Sequence, residues 1–351
     1  MLYYNTLYNY HRRWTKKQNL KTIPPTRKLV KLKKLLGWVK AKIMILIILL
    51  GQTCSGKSQL AVDLAKYLGS AWIVNCDSRQ VYQQLNLGTA KVKGRWQSLP
   101  KLGNTFVYQD IPHFLIDYVD PKEKYSLNQF LVDWCQLFKK QSPNLPKFVI
   151  LTGGTGLFAK AISEQYRLAQ IDPKYDSEYN NLKLHLTQQS SPNLHNLAKQ
   201  IPGFTQLNSS DQLNPRRLVN LLLRYYAATN GWFSQKKLDY PKFSQIWQFA
   251  IQVDQTVLKA RIFNRLKERL NEGLISEILN LNLDDQRLWD LGLEYRIGNL
   301  YVKGWLNETE LLQKLYQENW QYARRQLTWL KKQTLIWIKN LSEILDYLNS
   351  V

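Results

Sequence analysis

A chain of 351 residues with 49 Lys and Arg against 26 Asp and Glu, a net charge of +23, can form one large domain or two modest ones. It attracts polyanions, either nucleic acid or an anionic membrane surface. The three cysteines, Cys54, Cys76 and Cys135, fit no disulfide or metal spacing and read as free thiols in a reducing cytosol, which excludes a cysteine-stapled module. No apolar run reaches the roughly 18 residues that span a bilayer, so a membrane-spanning protein is not expected.

Residues 1–42 hold twelve Lys or Arg and no Asp or Glu, the first acid being Asp63. They read as a basic N-terminal extension, open to disorder, with Pro24-Pro25 interrupting any long helix. The remainder still carries +11, so the attraction to polyanions belongs to the body as well as the arm. Met1 and Met44 both stand as candidate starts.

The run Ile43–Leu50 predicts a buried strand, and no small-residue cleavage site follows it, so no secretory signal is expected. Next comes GQTCSGKS (51–58), with the pattern G-x-x-x-x-G-K-S. The two glycines let the backbone curl until its N–H groups converge on phosphate oxygens. Lys57 brings a mobile charge, and the Ser58 hydroxyl is placed for a phosphate-bound Mg²⁺. Lys57–Leu68 predicts a helix closed by Gly69. Ala71–Cys76 predicts a strand leading into Asp77, Tyr125–Gln141 a helix, and Lys147–Thr152 a strand running into Gly153-Gly154-Thr155-Gly156.

Strands separated by helices over 43–167 predict an α/β fold with a P-loop NTPase-like parallel sheet flanked by helices. Residues 168–240 turn rich in Asn, Gln and Ser with helical periodicity and predict an inserted helical lobe. Residues 241–351 return to the core with a strand at Gln248–Val253 and then read as a helical C-terminal part. Trp320, Trp329 and Trp337 lie near helical spacing and read as core.

A phosphate cradle does not name a reaction. An NTPase or kinase of this type usually ends an apolar strand in Asp, which holds Mg²⁺ or orients a water. Here FVIL (148–151) ends in Thr152 and glycines. The one carboxylate at a predicted strand end is Asp77, in NCDSRQVY (75–82). Its polar neighbours suit a base facing a polar substrate, and a helix or turn cap is the competing reading.

Several further blocks follow in order: LNLGTAKV (85–92), HFLIDYVDP (113–121), YSLNQF (125–130), TGGTGLF (152–158), NPRRLVNLLLRYYAATNG (214–231), RIFNRL (261–266) with EGL (272–274), and ARRQLTWLKK (323–332). With GQTCSGKS and DSRQVY (77–82), the chain from about Ile43 to about Lys332 resembles the tRNA dimethylallyltransferases, also called tRNA isopentenyltransferases. It departs from that pattern at Gln52, where the family usually has Pro, and at Asn214 and Arg216, where Asp and Gln are common. LGLEYR (291–296) is an altered form of its GYR segment.

The resemblance implies transfer of a dimethylallyl group from dimethylallyl diphosphate to the exocyclic N6 of the adenosine 3′-adjacent to the anticodon. Asp77 is then the general base, Thr53 touches the bridging diphosphate oxygen, and Lys57 and Arg265 are the cations on the leaving group. Gly51, Gln52, Thr53, Cys54, Ser55, Gly56, Lys57 and Ser58 would bind the diphosphate, Ser58 with Mg²⁺. Asp77, Ser78, Arg79 and Gln80 would hold the extruded nucleotide, and Thr155, Arg216, Arg217, Leu218, Val219, Asn220, Arg324 and Arg325 would contact tRNA through its anticodon stem-loop. His113 and Asp117 read as structural. A cytoplasmic monomer with no membrane partner is the implied state. A P-loop small-molecule kinase and a non-catalytic tRNA-binding protein are the competing functions.

Overall fold

The computed structural model describes residues 44–166, 170–234 and 238–349; the extension expected over 1–42 lies outside them. The strands are β1 (Ile45–Gly51), β2 (Ala71–Asn75), β3 (Arg95–Leu99), β4 (Gly103–Tyr108), β5 (Ile111–Phe114), β6 (Phe148–Thr152), β7 (Gln245–Ile251) and β8 (Ile336–Ile338). They form one sheet in the order β3-β4-β5-β2-β6-β1-β7-β8. From β5 to β8 every pairing is parallel. β3 and β4 add an antiparallel margin beside β5.

The central position of β1 follows from its sequence, ILIILLG, which has no polar side chain to face water. Leu46, Ile48 and Leu50 pack with Phe130, Trp134, Val149 and Leu151 on one face of the sheet. Ile47 and Leu49 pack with Ala61, Leu64, Ile73, Ile150 and Phe249 on the other. Successive side chains of a strand point to opposite faces, so a strand apolar throughout belongs between two layers of helix. Those layers are supplied by α1 (Lys57–Leu68) and α2 (Leu127–Lys140), with α3 (Gly156–Ser163) following β6. Ser126 caps α2 by accepting the Gln129 N–H.

Helices α4 (Asp176–Thr187), α5 (Ser191–Lys199), α6 (Ser209–Gln212) and α7 (Pro215–Thr229) form the inserted lobe. The lobe has its own small core of Leu186, Leu194, Phe204, Leu218, Val219, Leu222 and Leu223. After β7 come α8 (Gln255–Asn271), α9 (Leu274–Asn280), α10 (Asp285–Leu291), α11 (Leu293–Val302), α12 (Glu308–Leu330) and, beyond β8, α13 (Leu341–Asn349). Their shared core includes Leu258, Ile262, Leu266, Tyr295 and Leu315, together with Tyr82 and Leu85 from the loop after β2. A capping box between Asn307 and Glu310 starts α12.

The α/β architecture, the helical lobe and the helical C-terminal part agree with the sequence reading. Two strand regions go beyond it, β8 and the run β3 to β5 between Asp77 and Tyr125. The all-helical reading after Val253 is corrected by β8, which pairs in parallel with β7 and places Trp337 on a strand. α12 stops at Leu330, and the Ile-Trp-Ile that follows favours an extended edge position. The β4–β5 hairpin turns through Gln109 and Asp110 with φ of 48° and 66°. A two-residue turn with both φ positive normally advertises itself as Asn-Gly or Asp-Gly, and Gln-Asp hides the signal.

Candidate active site

Leu49 of β1 and Asn75 of β2 both stand level with Thr152 of β6. The loops leaving these three strands therefore open at one edge of the sheet, the carboxyl edge where open α/β sheets bind ligands. They are the glycine loop 51–58, the segment from Asp77 to Gln80, and Gly153-Gly154-Thr155. Thr152 closes the seam by donating its hydroxyl hydrogen to the Leu49 carbonyl at 3.0 Å.

The glycine loop winds through left-handed conformations at Cys54 (φ 60°) and Gly56 (φ 89°). A side chain on Gly51 would collide with Ser55 Oγ at 2.7 Å. Lys57 donates to the Gln52 carbonyl at 2.7 Å and lies in the same cavity as Asp77. Burial lowers the Lys57 pKa to about 8, opposed by the negative charge of Asp77. Burial likewise pushes the Cys54 thiol above its ordinary value, against the pull of Arg265 and Arg269. Ser58 is exposed on the first turn of α1, and Ser55 Oγ is buried without a hydrogen-bond partner.

Asp77 accepts three backbone N–H groups: Arg79 (2.9 Å) and Gln80 (3.4 Å) on Oδ1, and Gly154 (3.2 Å) on Oδ2. The capping reading and the base reading thus coexist, since the bonds that cap the loop also aim the carboxylate. Close approach demands glycine at both neighbouring positions. A Cβ on Gly153 would meet the Asp77 nitrogen at 2.5 Å, and one on Gly154 would meet Asp77 Oδ2 at 2.6 Å. Thr155 Oγ1 accepts the Ser78 N–H at 3.0 Å and donates to Ser78 Oγ at 3.2 Å.

Two helices complete the wall. Arg265 of α8 donates to Thr53 Oγ1 at 2.7 Å, and its Nε is buried without a partner. From α12, Gln326 ties two loops together: its Oε1 accepts the Thr53 N–H at 2.7 Å, and its Nε2 donates to the Gly154 carbonyl at 3.0 Å. Tyr322, one turn earlier, donates to the same carbonyl at 3.3 Å. Burial and then the charge of Asp77 raise the Tyr322 pKa, which keeps that hydroxyl a donor. Neither Tyr322 nor Gln326 is among the residues singled out from sequence. The available signal was a four-residue spacing, with Tyr322 just ahead of ARRQLTWLKK and Gln326 within it, which puts both on one helical face.

Two cavities share this wall. The first, about 540 Å³, is lined by the loop from Thr53 to Ser58, by Asp77, Gln80 and Arg265, and by apolar Ala90, Val92 and Ile116. The second, about 410 Å³, is lined by Thr53, Asp77, Ser78, Arg79, Thr155, Arg265 and Arg325. Thr53, Asp77, Arg265 and Tyr322 face both. Beside them, Arg269 of α8 is almost fully buried, 3.5 Å from Glu294.

Other expected residues fall elsewhere. Leu218 and Val219 are corrected as nucleic-acid contacts: they are 1% and 7% exposed and form the core of the lobe. Arg216, Arg217 and Asn220 are exposed on the opposite face of α7, Arg217 pairing with Asp211 at 3.6 Å. Gln52 turns its side chain away from the cavity to donate to the Ala323 carbonyl at 3.0 Å, leaving only its backbone at the loop. Arg324 is exposed and lines neither cavity, whereas Arg325 lines the second. His113 is buried against the Ile111 carbonyl, its pKa lowered to about 4 by burial, and Asp117 is paired with buried Lys91 at 2.6 Å. His113 nevertheless lines the first cavity, whereas Asp117 lines neither.

Among the described residues no group of three or more His, Cys, Asp or Glu side chains could hold a metal. Magnesium suits such a site only where substrate oxygens and water supply most of its ligands, and exposed Ser58 at the cavity wall fits that limited share.

A family model described as IPP transferase matches residues 80–333. The chain is 32% identical over 292 residues to tRNA dimethylallyltransferase 1 of Geotalea uraniireducens, covering 82% of this chain and 88% of that protein. It is 32% identical over 302 residues to the tRNA dimethylallyltransferase of a Synechocystis strain, covering 84% and 91%. Among solved structures it is similar to the tRNA isopentenylpyrophosphate transferase of Bacillus halodurans, with TM-score 0.58 at 24% identity over 88% of this chain and 96% of that one. A eukaryotic dimethylallyltransferase acting on tRNA gives TM-score 0.58 at 19% identity, covering 82% and 70%. These two structures speak for the fold.

Proposed function

The chain belongs to the IPP transferase family, and from that premise we propose that its two cavities carry the two substrates of a tRNA dimethylallyltransferase. It moves the dimethylallyl group of dimethylallyl diphosphate to the N6 of the adenosine 3′-adjacent to the anticodon. The C1–O bond to diphosphate breaks, a C1–N6 bond forms, and one N6 proton must be removed.

The first cavity takes the donor. The diphosphate lies on the loop N–H groups, with Lys57 and Arg265 as cations and the Thr53 hydroxyl at the bridging oxygen. The dimethylallyl group lies toward Ala90, Val92 and Ile116. These positive groups stabilise the charge that develops on the leaving oxygen. Ser58 would hold a Mg²⁺ that neutralises part of the diphosphate charge when bound. The phosphate is expelled from carbon rather than attacked at phosphorus, so β6 has no need of a terminal carboxylate; it ends in Thr152. That feature disfavours the kinase reading.

The second cavity takes the adenosine, which must leave its stack to reach a buried wall. An exocyclic amine conjugated with its ring is a weak nucleophile, so a base that removes its proton during attack contributes to rate. Asp77 serves as that base. Ser78, Arg79, Gln80, Thr155 and Arg325 hold the nucleotide, and exposed Arg216, Arg217 and Asn220 of the lobe meet the RNA backbone. The reading includes a cytoplasmic monomer. No helix among the described residues is long and apolar enough to cross a membrane.

The observation that carries this reading is the carboxylate of Asp77, fixed by three N–H groups on the wall common to both cavities. The test is transfer of radiolabelled dimethylallyl from its diphosphate to unmodified tRNA under single-turnover conditions. Asp77→Asn should slow transfer by about 10²–10⁴-fold while tRNA affinity changes less than about threefold. No label in tRNA with the unaltered protein would reject the reaction, and an undiminished rate in the variant would remove Asp77 from it.

A further inference from the structure

The second cavity has a rim residue that the reaction above does not use. Trp289, on α10, is 56% exposed although it lines the cavity that reaches Asp77. A lone exposed tryptophan is ordinary on a protein surface. This one is held in place. The Arg296 guanidinium of α11 lies 4.8 Å from its ring centroid, and the same guanidinium is 3.2 Å from Glu318 of α12. A cation thus backs the indole, an ion pair pins the cation, and the rest of the ring is open to the cavity mouth.

The surroundings indicate what the open surface receives. Arg79, Arg265, Arg269 and Arg325 line the same cavity, against only Asp77 and Glu294 as acids. A cationic groove with an exposed aromatic ring is the combination that holds unstacked nucleotides: the charges follow the phosphates and the ring replaces a lost base neighbour. Extrusion of one adenosine leaves its neighbours without a stacking partner.

We propose that Trp289 is a stacking platform for a nucleobase adjacent to the extruded adenosine, with Arg296 and Glu318 as the residues that position it. The assignment rests on the transfer reaction proposed above and adds a tRNA subsite to it. Stacking of one base on an aromatic side chain corresponds to about 5- to 150-fold in affinity.

The test uses the full chain, a labelled anticodon stem-loop RNA and the variants Trp289→Ala and Trp289→Phe. Binding is read by anisotropy over a salt series, beside single-turnover transfer. Trp289→Ala should weaken RNA binding and raise the KM for RNA by about tenfold or more. The rate at saturating RNA, the KM for the donor and the melting temperature should stay within about threefold or 2 °C. Trp289→Phe should recover most of the affinity. The salt slope should not change, because no phosphate contact is lost. Wild-type RNA affinity in Trp289→Ala would overturn the platform, as would a defect that Phe does not rescue or one confined to the donor KM. Absence of transfer by the unaltered protein would instead refute the reaction, and the binding arm would still judge the platform.

Discussion

Gln326 offers the sharpest test of how the site is assembled. Its one amide bonds the Thr53 N–H at 2.7 Å and the Gly154 carbonyl at 3.0 Å, joining the glycine loop to the loop that aims Asp77. Gln326→Leu keeps the volume and removes both bonds. The Gly154 carbonyl retains Tyr322 as a donor, so its loss is an ordinary hydrogen bond of about 1 kcal/mol. The Thr53 N–H loses the partner it has in this structure, and a partly buried orphan costs about 1–3 kcal/mol. The sum, about 2–4 kcal/mol, should lower Tm by about 4–8 °C at roughly 2 °C per kcal/mol in a chain of this size.

Activity should fall further than stability. With the loop released, Thr53 and the Arg265 bonded to its hydroxyl lose their placement at the leaving group, and kcat/KM should drop by about 10²-fold. Gln326→Glu separates the two effects. It retains an oxygen for the Thr53 N–H but brings a negative charge beside the diphosphate, so it should keep most of the Tm while raising the donor KM. Thermal melts combined with steady-state transfer kinetics are the assay. A Leu variant with unchanged Tm and kcat/KM within twofold of the original would refute the bridging role.

Two further outcomes follow from the same wall. Gly154→Ala places a methyl 2.6 Å from Asp77 Oδ2, so single-turnover transfer should fall at least about 100-fold while donor binding stays near normal; equal losses in both would point to general misfolding. Lys57, with its pKa lowered to about 8, loses its charge in the free protein above that pH, so the donor KM should climb above pH 8. Lys57→Arg, which stays charged, should abolish the climb. This group cannot mimic the effect by unfolding the protein. Between pH 8 and 10.5 the unfolded chain holds the lysine proton that the folded state has released, so its contribution to stability rises with pH. A donor KM flat to pH 9.5 would contradict the placement of Lys57.

The parts of the fold legible in the sequence are those where neighbouring residues share one purpose. β1 is apolar throughout because both its faces are covered, and the glycines at 51 and 56 announce a turn around phosphate without help from the rest of the chain. The lobe residues Leu218, Val219, Leu222 and Leu223 show what a motif can mislead about. They sit in a block that resembles an RNA-contacting stretch, yet their helical spacing puts them on the buried face, while Arg216, Arg217 and Asn220 of the same block stay exposed. Gln326 was illegible for another reason. Its partners lie 273 and 172 residues away, and no local pattern states that a glutamine will meet them.

That distance bears on how the site can exist at all. The glycine loop comes from residues 51–58, the carboxylate from 77, the glycine pair from 153 and 154, one arginine from 265 and the tie from 326. No pair among the first three loops holds Thr53 and Gly154 together directly; α12 does so from the far end of the chain. α12 is held in turn by its own packing, since Leu311, Leu315 and Ala323 are buried in the C-terminal core with Tyr82 and Leu85, which follow the base. The arrangement of Thr53 and Gly154 that the proposed transfer uses is therefore tied together by the last long helix. Loosening that helix at a buried position remote from both cavities, such as Leu315, should cost transfer activity together with stability, whereas Gly154→Ala costs activity alone.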